Sequence, residues 1–208
     1  MDDVEPRRGR PRSDRARAAI LAATRDLLRE VGYDRLTIAD IATRAGVGRQ
    51  TVYRWWSAKA AIATECVLDG LVELPLITMP ATGDPADDLR EWLDASHSVI
   101  ASADAAPLLR ALTAAATSDA AAAEQLSLRF SDPLRAAIAT SLRAGIAAGR
   151  IRTDADVDAT ADVLLGTLIY AIVTRDDGIA QRASVVSRIL LDGLARENSG
   201  DGPSLRAI

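Results

Sequence analysis

The sequence predicts an all-α fold, and three observations carry that expectation. Ala and Leu abound while aromatic residues make up only 3% of the chain, which suits helices because both are strong helix formers. Apolar residues recur at spacings of three and four through one segment after another. Gly, Pro and Asp-Pro punctuate the segments, and no alternating apolar and polar run reads as a strand. With 208 residues, 49% of them hydrophobic, the chain has room for one large or two small domains around a sizeable core.

Taken in order, residues 1–12 (MDDVEPRRGRPR) lack any periodicity and read as a disordered basic arm. The first helix is expected from Ser13 or Asp14, with Ala16, Ile20, Ala23, Leu27 and Val31 on one face. Gly32 stands where a left-handed C-cap belongs. Tyr33 to Leu36 connect it to the next helix. Thr37 is a good N-cap, Asp40 completes a shortened capping box, and the second helix runs from Ile38 to Ala45. Gly46-Val47-Gly48 breaks the chain, and a third helix follows from about Arg49 to Trp56. Ser57 is placed to cap a fourth, which carries Ala61, Ile62, Cys66, Leu68 and Leu71 until Pro75 ends it.

Residues 75–84 form a Pro/Gly connection. Asp84-Pro85 pairs an N-cap with proline at the first helical position, opening a helix marked by Leu89, Trp92, Leu93, Ser96, Val99 and Ile100. Further helices are expected over Ala105–Thr117, over Asp119–Arg129 with a restart at Asp132-Pro133 that runs to Gly149, and over Asp154–Thr174 and Gly178–Ala195. The tail frays from Asn198. The implied organisation is an arm (1–12), a three-helix head (13–59), a helical body (60–197) and a tail (198–208).

The net charge of -4 hides an asymmetry. Residues 1–60 hold thirteen Arg/Lys against eight Asp/Glu, and the remainder holds twelve against twenty-one, so +5 and -9 sum to -4. Such a split points to one end that faces nucleic acid. The single cysteine, Cys66, excludes an internal disulfide, fits a reducing cytoplasm, and reads as a small buried hydrophobe. No secretory signal is evident. The longest apolar run, Val163 to Val173, is interrupted by Gly166 and Thr167 and falls short of the ~20 residues a membrane span needs. The chain therefore reads as soluble, with no membrane partner.

Enzyme classes find no support, because no glycine-rich phosphate loop, nucleophile elbow or paired catalytic carboxylates appear. No cofactor or metal is expected either. His97, the only histidine, lacks ligand partners at suitable spacing and is expected at the surface or a pocket edge. Asp154, Asp156, Asp158 and Asp162 lack the glycine turn and terminal Glu of a calcium loop. They sit at a helix start, where acids are favourable for dipole reasons alone.

Two short helices joined by a glycine-containing turn fit a DNA-binding helix-turn-helix. A helix that enters the major groove needs long donors near its N-terminus and hydroxyls or aromatics beside the phosphates. Arg49 suits guanine and Gln50 adenine, while Thr51, Tyr53 and Trp55 can donate to phosphate oxygens. Val52 and Trp56, four apart, should anchor the helix to its own core.

The stretch LTIADIATRAGVGRQTVYRWWSAK, Leu36 to Lys59, resembles the helix-turn-helix of TetR/AcrR-type regulators. It matches that pattern at Thr37, Ala45-Gly46-Val47, Thr51-Val52-Tyr53, Trp55-Trp56 and Lys59. Gly48 departs from the usual Ser, and two tryptophans replace a commoner Tyr-Phe pair. The resemblance implies that Thr37, Tyr53, Trp55 and Lys59 bind phosphates and that Arg49, Gln50 and Arg54 face bases. It further implies a homodimer on a palindromic operator in double-stranded DNA, a ligand pocket in the helical body, and a bacterial cytoplasmic protein held at the nucleoid through DNA. The expected function is a sequence-specific regulator, a repressor released by a small apolar ligand. Pocket candidates are Trp92, Ser96, Val99, Leu112, Leu142 and Ile146.

Val163 to Val173 is apolar nearly all round, with one stripe of Val157, Ala161, Leu164, Leu168 and Ile172 and another of Leu165, Ile169 and Val173. A surface helix of a monomer needs only one stripe. The resemblance supplies a partner for the second, since such regulators pair their last two helices across a two-fold axis. Leu164, Leu168, Ile169, Ile172, Val186, Ile189 and Leu190 are the candidates for that interface.

The arm adds Arg8, Arg10 and Arg12, whose Arg-Gly-Arg-Pro context resembles an AT-hook core that lies in narrow A·T-rich minor grooves. It leaves a second reading open, an architectural A·T-rich DNA-binding protein without a ligand. Deleting residues 1–12 is expected to lower DNA affinity and to flatten its fall with salt, because released counterions drive such binding. Titration over a salt series checks this, and an unchanged slope would mean that the arm does not touch DNA.

Overall fold

A computed structural model describes residues 10–82, 84–174 and 179–194. These residues form the helices α1 Arg10–Arg35, α2 Ile38–Ala45, α3 Arg49–Tyr53, α4 Lys59–Leu68, α5 Pro85–Ala101, α6 Ala106–Ser118, α7 Ala120–Leu126, α8 Asp132–Ala147, α9 Val157–Val173 and α10 Ile179–Leu194. A π-helical turn over Ser127–Ser131 joins α7 to α8. No β-strand occurs among the described residues, so the fold is all-α as the sequence predicts.

The N-caps behave as their chemistry dictates. Thr37 Oγ1 accepts the Asp40 N–H at 3.1 Å, Asp84 Oδ1 accepts those of Ala86 and Asp87 at 3.1 and 3.3 Å, and Asp119 Oδ1 accepts those of Ala121 and Ala122. For α9 the cap is Asp156, which accepts the Ala159 N–H at 3.0 Å, two residues past the expected start.

Other boundaries differ from expectation. Helix α1 opens at Arg10 instead of near Ser13, with Pro11 in a first turn where its missing N–H costs nothing. Arg10 to Arg12 are therefore helical, not part of a disordered arm. Gly32 does break α1, but with φ 74° and ψ 172° instead of the left-handed helical pair, and one more turn follows over Tyr33 to Arg35. Ser57 does not cap α4, whose N-cap is Ala58 and offers no side-chain bond. Helix α4 stops at Leu68, well before Pro75, as the Leu71 N–H turns back to the Cys66 carbonyl at 2.8 Å.

The described chain forms two compact units, one of residues to Leu76 plus Val99–Ser131, the other of Ile77–Ser98 plus Asp132 onward. In the first unit, α1 to α4 enclose a core of Ile20, Leu27, Leu36, Ile41, Val52, Trp56, Ile62 and Cys66. A neighbouring cluster joins Val67 of α4 to Leu112 of α6 and Leu126 of α7. Burial pushes the Cys66 thiol up to about 12, so it is the inert packing residue that the sequence implies.

In the second unit α8, α9, α10 and most of α5 bury Leu89, Trp92, Leu93, Ile138, Leu142, Leu164 and Leu168. Asp84 before α5 pairs with Arg150 beyond α8. No single helix among the described residues is long and apolar enough to cross a membrane.

His97 corrects an expectation. It is only 2% exposed, with Nε2 3.4 Å from the Thr167 hydroxyl oxygen, because its position on α5 falls on the face turned to α9. Burial holds its pKa below the ordinary value, although the Leu93 backbone and Asp94 pull the other way. A histidine depressed on folding favours the native state fully above its unfolded pKa of ~6.5 and loses that contribution as pH falls below it. Thermal unfolding from about pH 7.5 to about pH 5 should show stability falling, and His97→Leu should make the fall shallower. Equal slopes in both proteins would clear His97 of any part in it.

Candidate nucleic-acid interface

The candidate interface starts from two short helices and the turn between them. Gly46 closes α2 with φ 66° and ψ 32°, a conformation a β-carbon would strain. Its N–H reaches the Thr43 carbonyl at 3.2 Å, and the Val47 N–H reaches that of Ala42 at 3.0 Å. Three residues, Gly46 to Gly48, connect the two helices. Gly48 then takes the N-cap of α3 without a side-chain bond, and Arg49 is the first helical residue.

Two apolar residues fix the roll of α3. Val52 is fully buried and Trp56 is 5% exposed, as their four-residue spacing predicts. A buried indole N–H requires an acceptor, and Trp56 Nε1 donates to Glu65 Oε2 at 2.6 Å. The other Glu65 oxygen pairs with Arg17 of α1. One carboxylate thereby ties α1, the turn after α3 and α4 together. Sequence reasoning did not find Glu65. The signal was the demand of Trp56 for an acceptor within reach.

With Val52 and Trp56 turned inward, the opposite face presents Arg49, Gln50, Tyr53, Arg54 and Trp55 to solvent, with Thr51 half-buried. The Arg54 guanidinium lies 5.8 Å from the Trp55 ring centroid, within cation–π range. Between Asp40 and Glu65 the chain has four cations (Arg44, Arg49, Arg54, Lys59) and no acid. The surface is a polar, basic helix face with two exposed aromatics, able to meet both base edges and phosphates. On α2, Arg44 forms a two-pronged pair with Glu30 of α1. That pair holds the Glu30 carboxyl below and the Arg44 guanidinium above their ordinary pKa values.

Thr37 and Lys59, expected at phosphates, both have hydrogen-bond partners within the chain. The Thr37 hydroxyl donates to Asp40 Oδ2 at 2.6 Å. Lys59 Nζ donates to the carbonyls of Tyr33, Asp34 and Leu36. The reason is proximity, since α4 begins against the orphaned carbonyls at the end of α1. Arg8 lies outside the described residues. Arg10 and Arg12 open α1, and their side chains lie outside the description.

The six pocket candidates divide between the two units. Leu112 packs with Val67 and Leu126 in the first unit, where Val99 also belongs, whereas Trp92, Ser96, Leu142 and Ile146 belong to the second. Trp92 is a satisfied core residue, its Nε1 donating to the Ile77 carbonyl at 2.8 Å. The interface candidates separate as well. Leu164, Leu168 and Ile172 are buried within the chain, while Ile169, Val186 and Ile189 are exposed and Leu190 is half-buried.

Comparison with known proteins places these features in context. A family model described as "Bacterial regulatory proteins, tetR family" matches residues 20–66, and one described as "Tetracyclin repressor-like, C-terminal domain" matches residues 79–189. The chain is 31% identical over 176 residues to the uncharacterized HTH-type transcriptional regulator YdeS of Bacillus subtilis, covering 85% of this chain and 87% of that protein. It is 29% identical over 179 residues to the uncharacterized HTH-type transcriptional regulator Rv1556 of Mycobacterium tuberculosis, with coverage of 85% and 87%. Among solved structures, the TetR family regulator SCO0332 matches with a TM-score of 0.55 and 31% identity, over 87% of this chain and 99% of that one. Thermus thermophilus FadR, a TetR-family repressor solved with lauroyl-CoA, shares the fold at TM-score 0.60 and 24% identity, over 89% and 99% of the two chains.

Arg49 is the residue whose truncation tests the exposed face without touching its anchors. Arg49→Ala is expected to cost ~1–3 kcal/mol on a duplex selected by the wild-type protein and to relax the base preference at one position. Binding measured on a panel of single-base variants checks this. A loss of equal size on every duplex would move Arg49 from the bases to the phosphates.

Proposed function

The chain belongs to the TetR family of DNA-binding transcriptional regulators, and on that premise we propose that it is a homodimeric, sequence-specific repressor released from a palindromic operator by a small apolar ligand. It acts in the bacterial cytoplasm. The observation that carries this reading is the outward face of α3 and the turn that follows it, held by the buried Val52 and Trp56. In it Arg49, Gln50 and Arg54 face base edges, while Thr51, Tyr53 and Trp55 bracket the phosphates. Arg8 from the arm, and Arg10 and Arg12 from the start of α1, add affinity.

Dimerisation follows from what one chain leaves uncovered. Val163, Ile169, Tyr170 and Val173 on α9, with Val185, Val186 and Ile189 on α10, are all exposed, and Ile189 is 65% so. Exposed apolar side chains concentrated on two helices that pack together mark an interaction site. The interface is carried by Ile169, Val186 and Ile189, with Leu190 at its edge. Leu164, Leu168 and Ile172 already face the chain's own core and are unavailable to a partner. Two copies joined through α9 and α10 present two reading heads, which calls for an operator with matching two-fold symmetry.

Ligand release follows the logic of linked equilibria: the ligand must bind the form whose heads mismatch the half-sites more tightly than the DNA-bound form. The first candidates for such a ligand's environment are Val99 and Leu112 in the first unit, and Trp92, Ser96, Leu142 and Ile146 in the second.

Footprinting on duplexes selected by the full chain tests the reading. The expected result is one protected inverted repeat with a specificity ratio of ~10³ or more. Broad coating of A·T-rich DNA would favour the architectural alternative. Two single variants test the dimer. Leu168→Glu, at a 3% exposed position, should unfold the protein because it buries an unpaired charge. Ile169→Glu, at a 41% exposed position, should give a folded helical monomer that has lost most operator affinity. A wild-type monomer at micromolar concentration, or an Ile169→Glu protein that still dimerises, would overturn this interface.

A further inference from the structure

Thr64 lies within α4 and is 4% exposed. A threonine inside a helix can satisfy its hydroxyl by donating to the carbonyl four residues earlier. Thr24, Thr43, Thr113 and Thr140 do so, to Ile20, Ala39, Leu109 and Ala136. Thr64 does not, and its buried hydroxyl oxygen has no hydrogen-bond partner. An unpaired buried polar group is uncommon enough to call for an explanation, and the space beside this one supplies it.

Thr64 lines a groove of about 900 Å³ within the first unit, near the upper end of the ~300–1,000 Å³ typical of small-molecule sites. On one side are α4 and the turn before it, with Trp55 and Trp56, whose ring centroids are 6.2 Å apart and whose planes are inclined by 41°. On the other are the end of α6 and the start of α7, where Ala114, Ala115, Ala121 and Ala122 line the groove. Such short side chains leave open the space that bulkier ones would fill. The only charged side chains lining it, among the described residues, are Glu65 and Asp119, and both are engaged. Glu65 accepts from Trp56 and pairs with Arg17, and Asp119 accepts the Ala121 and Ala122 N–H groups. The groove offers aromatic and apolar surface, one idle hydroxyl, and no free charge of either sign.

We propose that this groove binds an uncharged aromatic molecule of two or three fused rings, which packs against Trp55 and gives the Thr64 hydroxyl its missing partner. An indole offers such a molecule a large, rigid apolar contact, and a charged ligand would lose its hydration with nothing in the groove to replace it. The inference rests on the ligand-release reading above and gives that reading a place and a ligand class. Release requires a ligand that prefers the DNA-free form. Trp55 is one of the side chains proposed to meet phosphates, so the ligand and the DNA backbone compete for the same ring.

The chain has three tryptophans, so the ¹⁵N-labelled protein gives three indole N–H signals. Trp55 and Trp56 report on the groove, and Trp92, in the second unit, is the internal control. The probe is 2-naphthol, with 2-naphthalenesulfonate and 2-naphthylmethylammonium as its charged counterparts. The expected result is a saturable shift of the Trp55 and Trp56 signals with a Kd of about 1 mM or tighter, Trp92 unmoved, and both charged counterparts weaker by about tenfold or more. No shift, a Trp92 shift as large as the others, or an equal response to a charged counterpart would overturn the proposal. Groove signals that move on dilution of the protein and ignore the probe would assign the groove to a second copy of the chain, and would overturn it as well. Binding in the groove that leaves the affinity for a selected duplex unchanged would uphold the site and overturn the release reading instead.

Two variants locate the contact. A115F fills the groove from α6, where Ala115 is half-buried, and should abolish the shifts. T64V removes the hydroxyl at nearly constant shape. It should weaken 2-naphthol about fivefold, the worth of one neutral hydrogen bond, without lowering the melting temperature, because no bond within the chain is lost. A T64V protein that melts lower and binds as well as wild type would make the hydroxyl purely structural and overturn the proposal. So would an A115F protein that binds unchanged. If A115F does not fold, T64V and the three indole signals decide.

Discussion

A helix of five residues such as α3 does not persist alone in water, where ~12–15 residues are needed for even marginal helicity. Its existence depends on the insertion of Val52 and Trp56 into the core of the first unit, and that insertion depends in turn on the fate of one indole N–H. Left unpaired, a buried donor costs ~1–3 kcal/mol. Glu65 accepts it, and Arg17 balances the charge of Glu65. The exposed face of α3 is the remainder of this arrangement: five long polar or aromatic side chains point outward because two others cannot.

Helix α4 then occupies a mechanical position that its ten residues would not suggest. Ile62 and Cys66 belong to the core beneath the helix-turn-helix. Val67, the next residue after Cys66, belongs to the cluster with Leu112 of α6 and Leu126 of α7. Close-packed interiors transmit displacement instead of absorbing it, so α6 cannot shift without α4 registering the change. The same helix carries Lys59 at its start and Glu65 one side chain away from the Trp56 ring.

The second unit poses the complementary question of surface left over. Helix α9 is apolar on two sides, and α8 and α10 cover only one of them. Ala161, Leu164, Leu168 and Ile172 are buried, while Val163, Ile169, Tyr170 and Val173 are not. His97 belongs to the inner side, opposite Thr167. Its burial among helices follows from its spacing to Leu93 and Ile100 on α5, a face that the sequence displayed but that a lone polar residue made easy to misread.

The sequence by itself determined the elements and the nature of the site. Helical periodicity, the N-caps Thr37 and Asp84, and the Gly46 break are local properties of neighbouring residues, and local chemistry suffices to read them. The anchors Val52 and Trp56 were legible for the same reason, since one helical turn separates them. The tertiary structure decided what depends on partners distant along the chain: that Glu65 serves Trp56, that Lys59 turns to the carbonyls of Tyr33, Asp34 and Leu36 twenty-three to twenty-six residues earlier, and that the Leu168 stripe of α9 faces inward while the Ile169 stripe does not. Periodicity reveals that a helix has two apolar faces, but only packing against other helices chooses between them. A side chain with several possible acceptors is assigned only when the backbone brings one set within hydrogen-bond reach.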